Sequence, residues 1–216
     1  MNNTRNIAFA LTGLLAIGLA GATHAASATL QQLIDGATLE TNGFTFFDFT
    51  YSPSTGAVQA SDINVQTVSG GLQFSFSPPL LANVNNQIIE FDINYYASAG
   101  TGRLFNQATL SSTISTIGSG EIGIGGVVAD ESLSFLADLD NSASLGVLVD
   151  FVSATFSPTA EIFVTNGFGL SGDDNGNATL SEFTQTFAVV PTPTAAAAGL
   201  SLMAALALRR RGQRPA

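Results

Sequence analysis

Through most of the chain apolar and polar side chains alternate with a period of two, the signature of strands that bury one face. In "GLQFSFS", Leu72, Phe74 and Phe76 share a face, and "QIIEFDINYY" sets Ile89, Phe91, Ile93 and Tyr95 against Glu90, Asp92 and Asn94. In "GFTFFDFTYS" the apolar parity passes from Phe44 and Phe46 to Phe47, Phe49 and Tyr51, which predicts a β-bulge near Phe46. Further strands are predicted at Ile63–Val68, Leu104–Ile117, Glu121–Val128, Leu133–Leu139, Leu145–Phe156, Ile162–Leu170 and Leu180–Val189. Gly, Asn, Asp, Ser and Pro separate them at intervals of about ten residues. Before these strands, "SATLQQLIDGATL" offers Ser27 or Thr29 as a cap, Leu30, Leu33 and Ile34 on one helical face, and Gly36 as a stop. That predicts a helix of two turns closing one end of the sheets. Together these elements predict an all-β fold, an antiparallel β-sandwich of jelly-roll type with a short N-terminal helix; a closed barrel is the alternative. No repeat of fixed period stands out, which argues against a solenoid.

Both ends depart from this alternation. Arg5 precedes an apolar run from Ile7 to Ala20, and the small residues that follow offer two cleavage patterns, Thr23-His24-Ala25 and Ala26-Ser27-Ala28. This is the layout of an export signal, and a run of this length is short for a spanning helix. Near the C-terminus, Thr194 to Leu208 is apolar but mostly Ala; as a helix it would extend about 22 Å, short of the roughly 30 Å hydrocarbon core. Arg209, Arg210 and Arg211 follow it, a cytoplasmic stop cluster under the positive-inside bias. The chain thus divides into a signal peptide (1–28), a β-sandwich domain (29–189) and a sorting or anchor segment (190–216).

The order proline motif, short apolar helix, arginine cluster resembles the PEP-CTERM sorting signals of bacteria. The matching residues are Val190, Pro191 and Pro193, the run from Ala195 to Leu208, and the arginines 209 to 211. Thr192 stands where the family's motif has Glu, which makes this a variant P-T-P form. The resemblance implies an exosortase-like membrane enzyme as processing partner, transient insertion in the inner membrane, and a destination in the outer envelope, at the cell surface or in the extracellular matrix; there the acidic, Ser- and Thr-rich surface of the body is expected to interact with exopolysaccharide. Export signal, helix, Phe-rich strand and tail together also look like many exported PEP-CTERM proteins.

Composition narrows the chemistry. All 16 acids lie between residues 29 and 193, where Arg103 is the single base, and such a body repels nucleic acid. Cysteine is absent and the one histidine, His24, lies at the expected cleavage site, so the mature body lacks a thiolate, an imidazole base and their metal chemistry. Catalysis would fall to paired carboxylates, yet there is no Trp to stack a sugar ring, and the 16 Phe are better suited to a core. The expectation is a non-catalytic protein.

One loop invites a metal. Laid on the 12-residue calcium template, "SGDDNGNATLSE" places Asp173, Asn175, Gly176 and Glu182 at positions 3, 5, 6 and 12, although Ser171 stands at position 1. Its flanks read as strands, so the same residues also read as an acidic hairpin turn built on Asn175-Gly176. A second acidic turn is expected at Asp138, Asp140 and Asn141, sharing a cation if both turns lie at one end of the fold. No cofactor is expected beyond that calcium. The competing functions are therefore an exported envelope or matrix protein, a calcium-dependent carbohydrate-binding module, and a two-carboxylate glycoside hydrolase for which no particular pair stands out.

Overall fold

The computed structural model describes residues 26–54, 58–83, 87–144, 147–149, 151–172 and 175–211; residues 1–25 of the expected signal peptide, with Arg5 and His24, and Asp173 lie outside them. The chain runs through β1 (Ser27–Thr29), α1 (Leu30–Ile34), β2 (Leu39–Thr41), β3 (Phe44–Pro53), a 3-10 turn (Ala60–Asp62), β4 (Ile63–Val68), β5 (Gly71–Ala82) and β6 (Ile88–Ser98). It continues with β7 (Arg103–Ile117), β8 (Glu121–Asp130), β9 (Phe135–Ser144), β10 (Val147–Val149), β11 (Phe151–Thr159), β12 (Glu161–Ser171), β13 (Asn177–Pro191) and α2 (Pro193–Arg211). Two antiparallel sheets form a sandwich, one in the order β1-β4-β5-β13-β7-β11 and one in the order β10-β9-β8-β12-β6-β3-β2.

The alternation read from the sequence is the alternation of burial. Leu72, Phe74 and Phe76 of one sheet and Ile89, Phe91, Ile93 and Tyr95 of the other all point into the core. Phenylalanines join the layers: Phe183 of β13 stacks on Phe74 of its neighbour β5 at 4.4 Å and meets Phe168 of the facing sheet at 4.7 Å. The parity change in β3 is a bulge, with the register against β6 shifting between Phe47 and Thr50 and Asp48 at φ 54°. Phe44, Phe46 and Phe49 are thereby buried while Phe47 turns outward.

α1 is shorter than the two turns expected. Thr29 caps it in a reciprocal box with Gln32, Leu30 and Leu33 are buried, and Gly36 ends it at φ 102°. The segment expected as a second acidic turn is instead the middle of β9. Ala137, Leu139, Asn141 and Ala143 face inward there, and Asp138, Asp140 and Ser142 face out. Asn141 is tolerated in the core because its amide donates to Ser112 Oγ across the sandwich at 2.9 Å.

Two phenols sit in this interior. Burial pushes Tyr51 up to about 12, its hydroxyl donating to the Val58 carbonyl at 2.6 Å. Burial pushes Tyr95 up further, opposed by the side chain of Asn166. Above about pH 10, where a free phenol ionises, the unfolded chain binds fewer protons than the folded one. Stability is therefore fully present below about pH 10 and falls as pH rises toward 12. In urea titrations the midpoint is expected to hold steady up to about pH 9.5 and then drop, tyrosinate absorbance appearing together with unfolding. A midpoint unchanged at about pH 11.5 would contradict the burial of these phenols.

Candidate functional site

β8 and β12 lie side by side in the middle of the seven-stranded sheet, and their sequences, "EIGIGGVVAD" and "EIFVTNGFGLS", place glycine at alternate positions. Ile122, Ile124, Phe168 and Leu170 fill the core between them. Outward, the antiparallel register sets Gly125 opposite Gly167 and Gly123 opposite Gly169, making a square of sheet without side chains. β6 raises one wall beside it, Asp92 next to Gly167 and Glu90 next to Gly169. β9 raises the other, Asp140 next to Gly125 and Ser142 next to Gly123. The result is an open trough along the strands; its cleft of about 430 Å³ is bounded at one end by Ile88, Glu121 and Ser171.

At the other end, about four residues or roughly 13 Å along the strands, the floor rises to an aromatic step. Phe47, Tyr96 and Phe163 occupy one cross-strand row. Their rings lie 5.8 Å (Phe47 to Tyr96) and 4.9 Å (Tyr96 to Phe163) apart, and all three are half-buried.

Two glycines of the floor, Gly123 and Gly169, are not required by the packing around them. A Cβ at Gly123 or Gly169 would meet nothing within 4 Å, and neither residue has a positive φ. Glycine in a strand interior costs roughly 0.5–1 kcal/mol relative to alanine and marks places where something approaches the backbone closely. At Gly167 a Cβ would stand 3.1 Å from Asp92 Oδ1, and at Gly125 one would stand 3.6 Å from Asp140 Oδ1. Both wall carboxylates therefore lean in toward the glycines.

The outer face of the six-stranded sheet is different in kind. Cross-strand rows of Gln66, Gln73, Thr184, Ser111 and Phe151, and of Asn64, Ser75, Glu182 and Thr113, cover it with hydroxyls and amides. Glu182 is held in place: Gln73 Nε2 donates to its Oε2 at 3.0 Å and Thr113 Oγ1 to its Oε1 at 3.2 Å, while Gln66 donates to Gln73. Beside it lies a shallow cleft of about 320 Å³ walled by Phe151, which is 62% exposed.

The calcium-like set is distributed as follows. Asn175 lies in the turn before β13, its carbonyl pressed so close to Gly118 that a Cβ there would stand 1.8 Å away. Glu182 comes well into β13, about 20 Å further along an extended strand. Asp138 and Asp140 sit on the opposite outer face of the sandwich, so the two acidic segments do not share an end. Among the described residues no three carboxylates or imidazoles come together as a metal site.

The proline motif forms the junction of β13 and α2. Val190 and Pro191 close the strand against Leu104 and Arg103. Thr192 caps the helix: its Oγ1 accepts from the Ala195 amide at 3.3 Å, and its own amide donates to the Gly102 carbonyl. Pro193 takes the first helical position, where its missing N–H costs nothing. α2 carries Arg209, Arg210 and Arg211 in its last turn, and its side chains from Pro193 to Ala204 are all exposed. Among the described residues no helix is long and apolar enough to cross a membrane.

No family model matches the chain, and no curated protein matches it. Among solved structures it is similar to TmCBM61 in complex with beta-1,4-galactotriose, with 9% identity, 65% of this chain and 88% of the other covered, and a TM-score of 0.30. It is similar to the enzymatically active domain of tailspike protein 4 from bacteriophage CBA120, with 12% identity, 65% and 19% covered, and a TM-score of 0.29. A third is BiXyn10A CBM1, with 13% identity, 76% and 97% covered, and a TM-score of 0.27.

Reading the sequence missed the trough. Its signal was present in the two G-x-G runs inside strands, Gly123 with Gly125 and Gly167 with Gly169, each interleaved with a core residue.

Proposed function

We propose that this chain is an exported, non-catalytic protein of the cell envelope or extracellular matrix, whose sandwich holds a polysaccharide chain in the glycine-floored trough and whose tail is a sorting address. The carrying observation is the pair Gly123 and Gly169, positions that the fold would fill with any strand-forming side chain and that are left empty. Aromatic rings at the end of the trough fit the apolar face of a sugar. The non-catalytic reading draws on burial: no described carboxylate is buried, whereas a glycosidase needs an acid whose proton is held by desolvation. Calcium is not part of the proposal, because the described members of that loop stand apart.

Affinity electrophoresis through gels containing different polysaccharides tests the binding. Retardation by at least one of them, unchanged by chelator, is the expected result, and free migration through a broad panel would sink the reading. Export and sorting are tested at the termini. Of the two cleavage patterns, a cut after Ala25 leaves β1 intact, including the bond from the Thr67 amide to the Ala26 carbonyl. Intact mass of the secreted protein is expected to begin at Ala26; a start at Thr29 would remove a strand the sheet uses. Removing residues 190–216 is expected to change the partition of the protein between cell fractions, and identical partition would end the sorting proposal.

A further inference from the structure

We propose that the trough selects glycans bearing free amino groups, an inference that rests on the polysaccharide reading and narrows it. The sandwich does not wear its acid evenly. The strands of the seven-stranded sheet carry nine described carboxylates, and those of the six-stranded sheet only Glu182, which Gln73 and Thr113 already satisfy. The charge is thus concentrated on the face that has the empty floor. No described base faces the trough; Arg103 is at the start of β7 in the other sheet, donating to the Asn42 carbonyl.

The two carboxylates that lean toward the floor from its two sides are opposed. Asp92 and Asp140 occupy one cross-strand row with Gly167 and Gly125 between them, so their backbones stand about 14 Å apart at ordinary strand spacing. Each leans toward its neighbouring glycine, which leaves the two carboxylates roughly 10 Å apart, about two strand spacings, on either side of the floor. A sugar lying on the floor must strip water from both. Hydroxyls replace that hydration with neutral hydrogen bonds, whereas an ammonium group replaces it with charge-assisted bonds roughly twice as strong. Glu90, two residues from Asp92 on the same wall, continues the negative lining, so a polymer with an amine on successive sugars meets carboxylates along its length. Uronic or sulfated chains are repelled by the same lining.

The test compares glucosamine hexamer with N-acetylglucosamine hexamer, using the purified full-length chain and calorimetry at low salt. The amine-bearing hexamer is expected to bind at least about tenfold tighter, with the preference shrinking as NaCl rises to roughly 0.5 M. The double variant Asp92→Asn, Asp140→Asn is expected to lose the preference and keep its unfolding temperature. Equal or tighter binding of the acetylated hexamer overturns this inference and leaves polysaccharide binding standing. A preference that survives in the Asn variant also overturns it, as does hexalysine binding as tightly as the glucosamine hexamer. If neither hexamer binds and no other polysaccharide does, the inference falls with the reading beneath it.

Discussion

Replacing Phe183 with alanine is expected to lower the stability of the sandwich by about 3–5 kcal/mol, a large share of the 5–15 kcal/mol typical of a domain. Phe183 is fully buried and lies face to face with Phe74, the rings 4.4 Å apart and 4° from parallel. It also contacts Phe168 of the facing sheet at 4.7 Å and Phe76 at 6.3 Å. Truncation removes the ring that ties β13 to both its own sheet and the opposite one, and strands paired on two sides cannot collapse into the space. Phe151→Ala is the control, since that ring is exposed and its loss is expected to stay within about 0.5 kcal/mol. Urea denaturation separates the two, and a loss below about 1.5 kcal/mol at Phe183 would show that the aromatic cluster is not what joins the layers.

The second expectation runs in opposite directions on two readouts. Gly169→Val, or the pair Gly123→Val and Gly169→Val, is expected to raise stability by a few tenths to about 1 kcal/mol per site, because a β-branched residue suits a strand better than glycine. The fold has room for the added groups, since a Cβ at either position has no neighbour within 4 Å. What they meet is whatever lies on the floor. Retardation by polysaccharide is expected to weaken by at least about tenfold, since isopropyl groups standing on the sheet lift a sugar ring off it. A variant that is both more stable and unable to bind is the signature of a site maintained at the expense of the fold. Unchanged binding would move the site elsewhere, and a fall in stability would mean that the floor is already packed.

The same residues show how far a sequence carries. Strand alternation was legible because burial on one face is a local pattern, and so was the bulge in β3, where Phe46 and Phe47 both follow from a change of parity. The second half of β9, beyond the strand predicted to Leu139, was not, because Asp, Asn and Ser are also the chemistry of turns. Only the partner of Asn141, Ser112 on the facing sheet, explains why an amide belongs in the core there. β2 and β10, three residues each, are too short to show any period. The trough was hidden for a related reason: glycine reads as punctuation, and its role here depends on Gly125 meeting Gly167 across a register set by strands some forty residues apart. Thr192, the departure from the sorting motif, became intelligible as a helix cap.

β13 has a mechanical consequence. It lies between β5 and β7, hydrogen-bonded to both along most of its 15 residues, and leads directly into the tail. Tension on the chain beyond Pro191, directed along the strand, loads both ladders in shear, so many hydrogen bonds resist together where an edge strand such as β1 would peel one pair at a time.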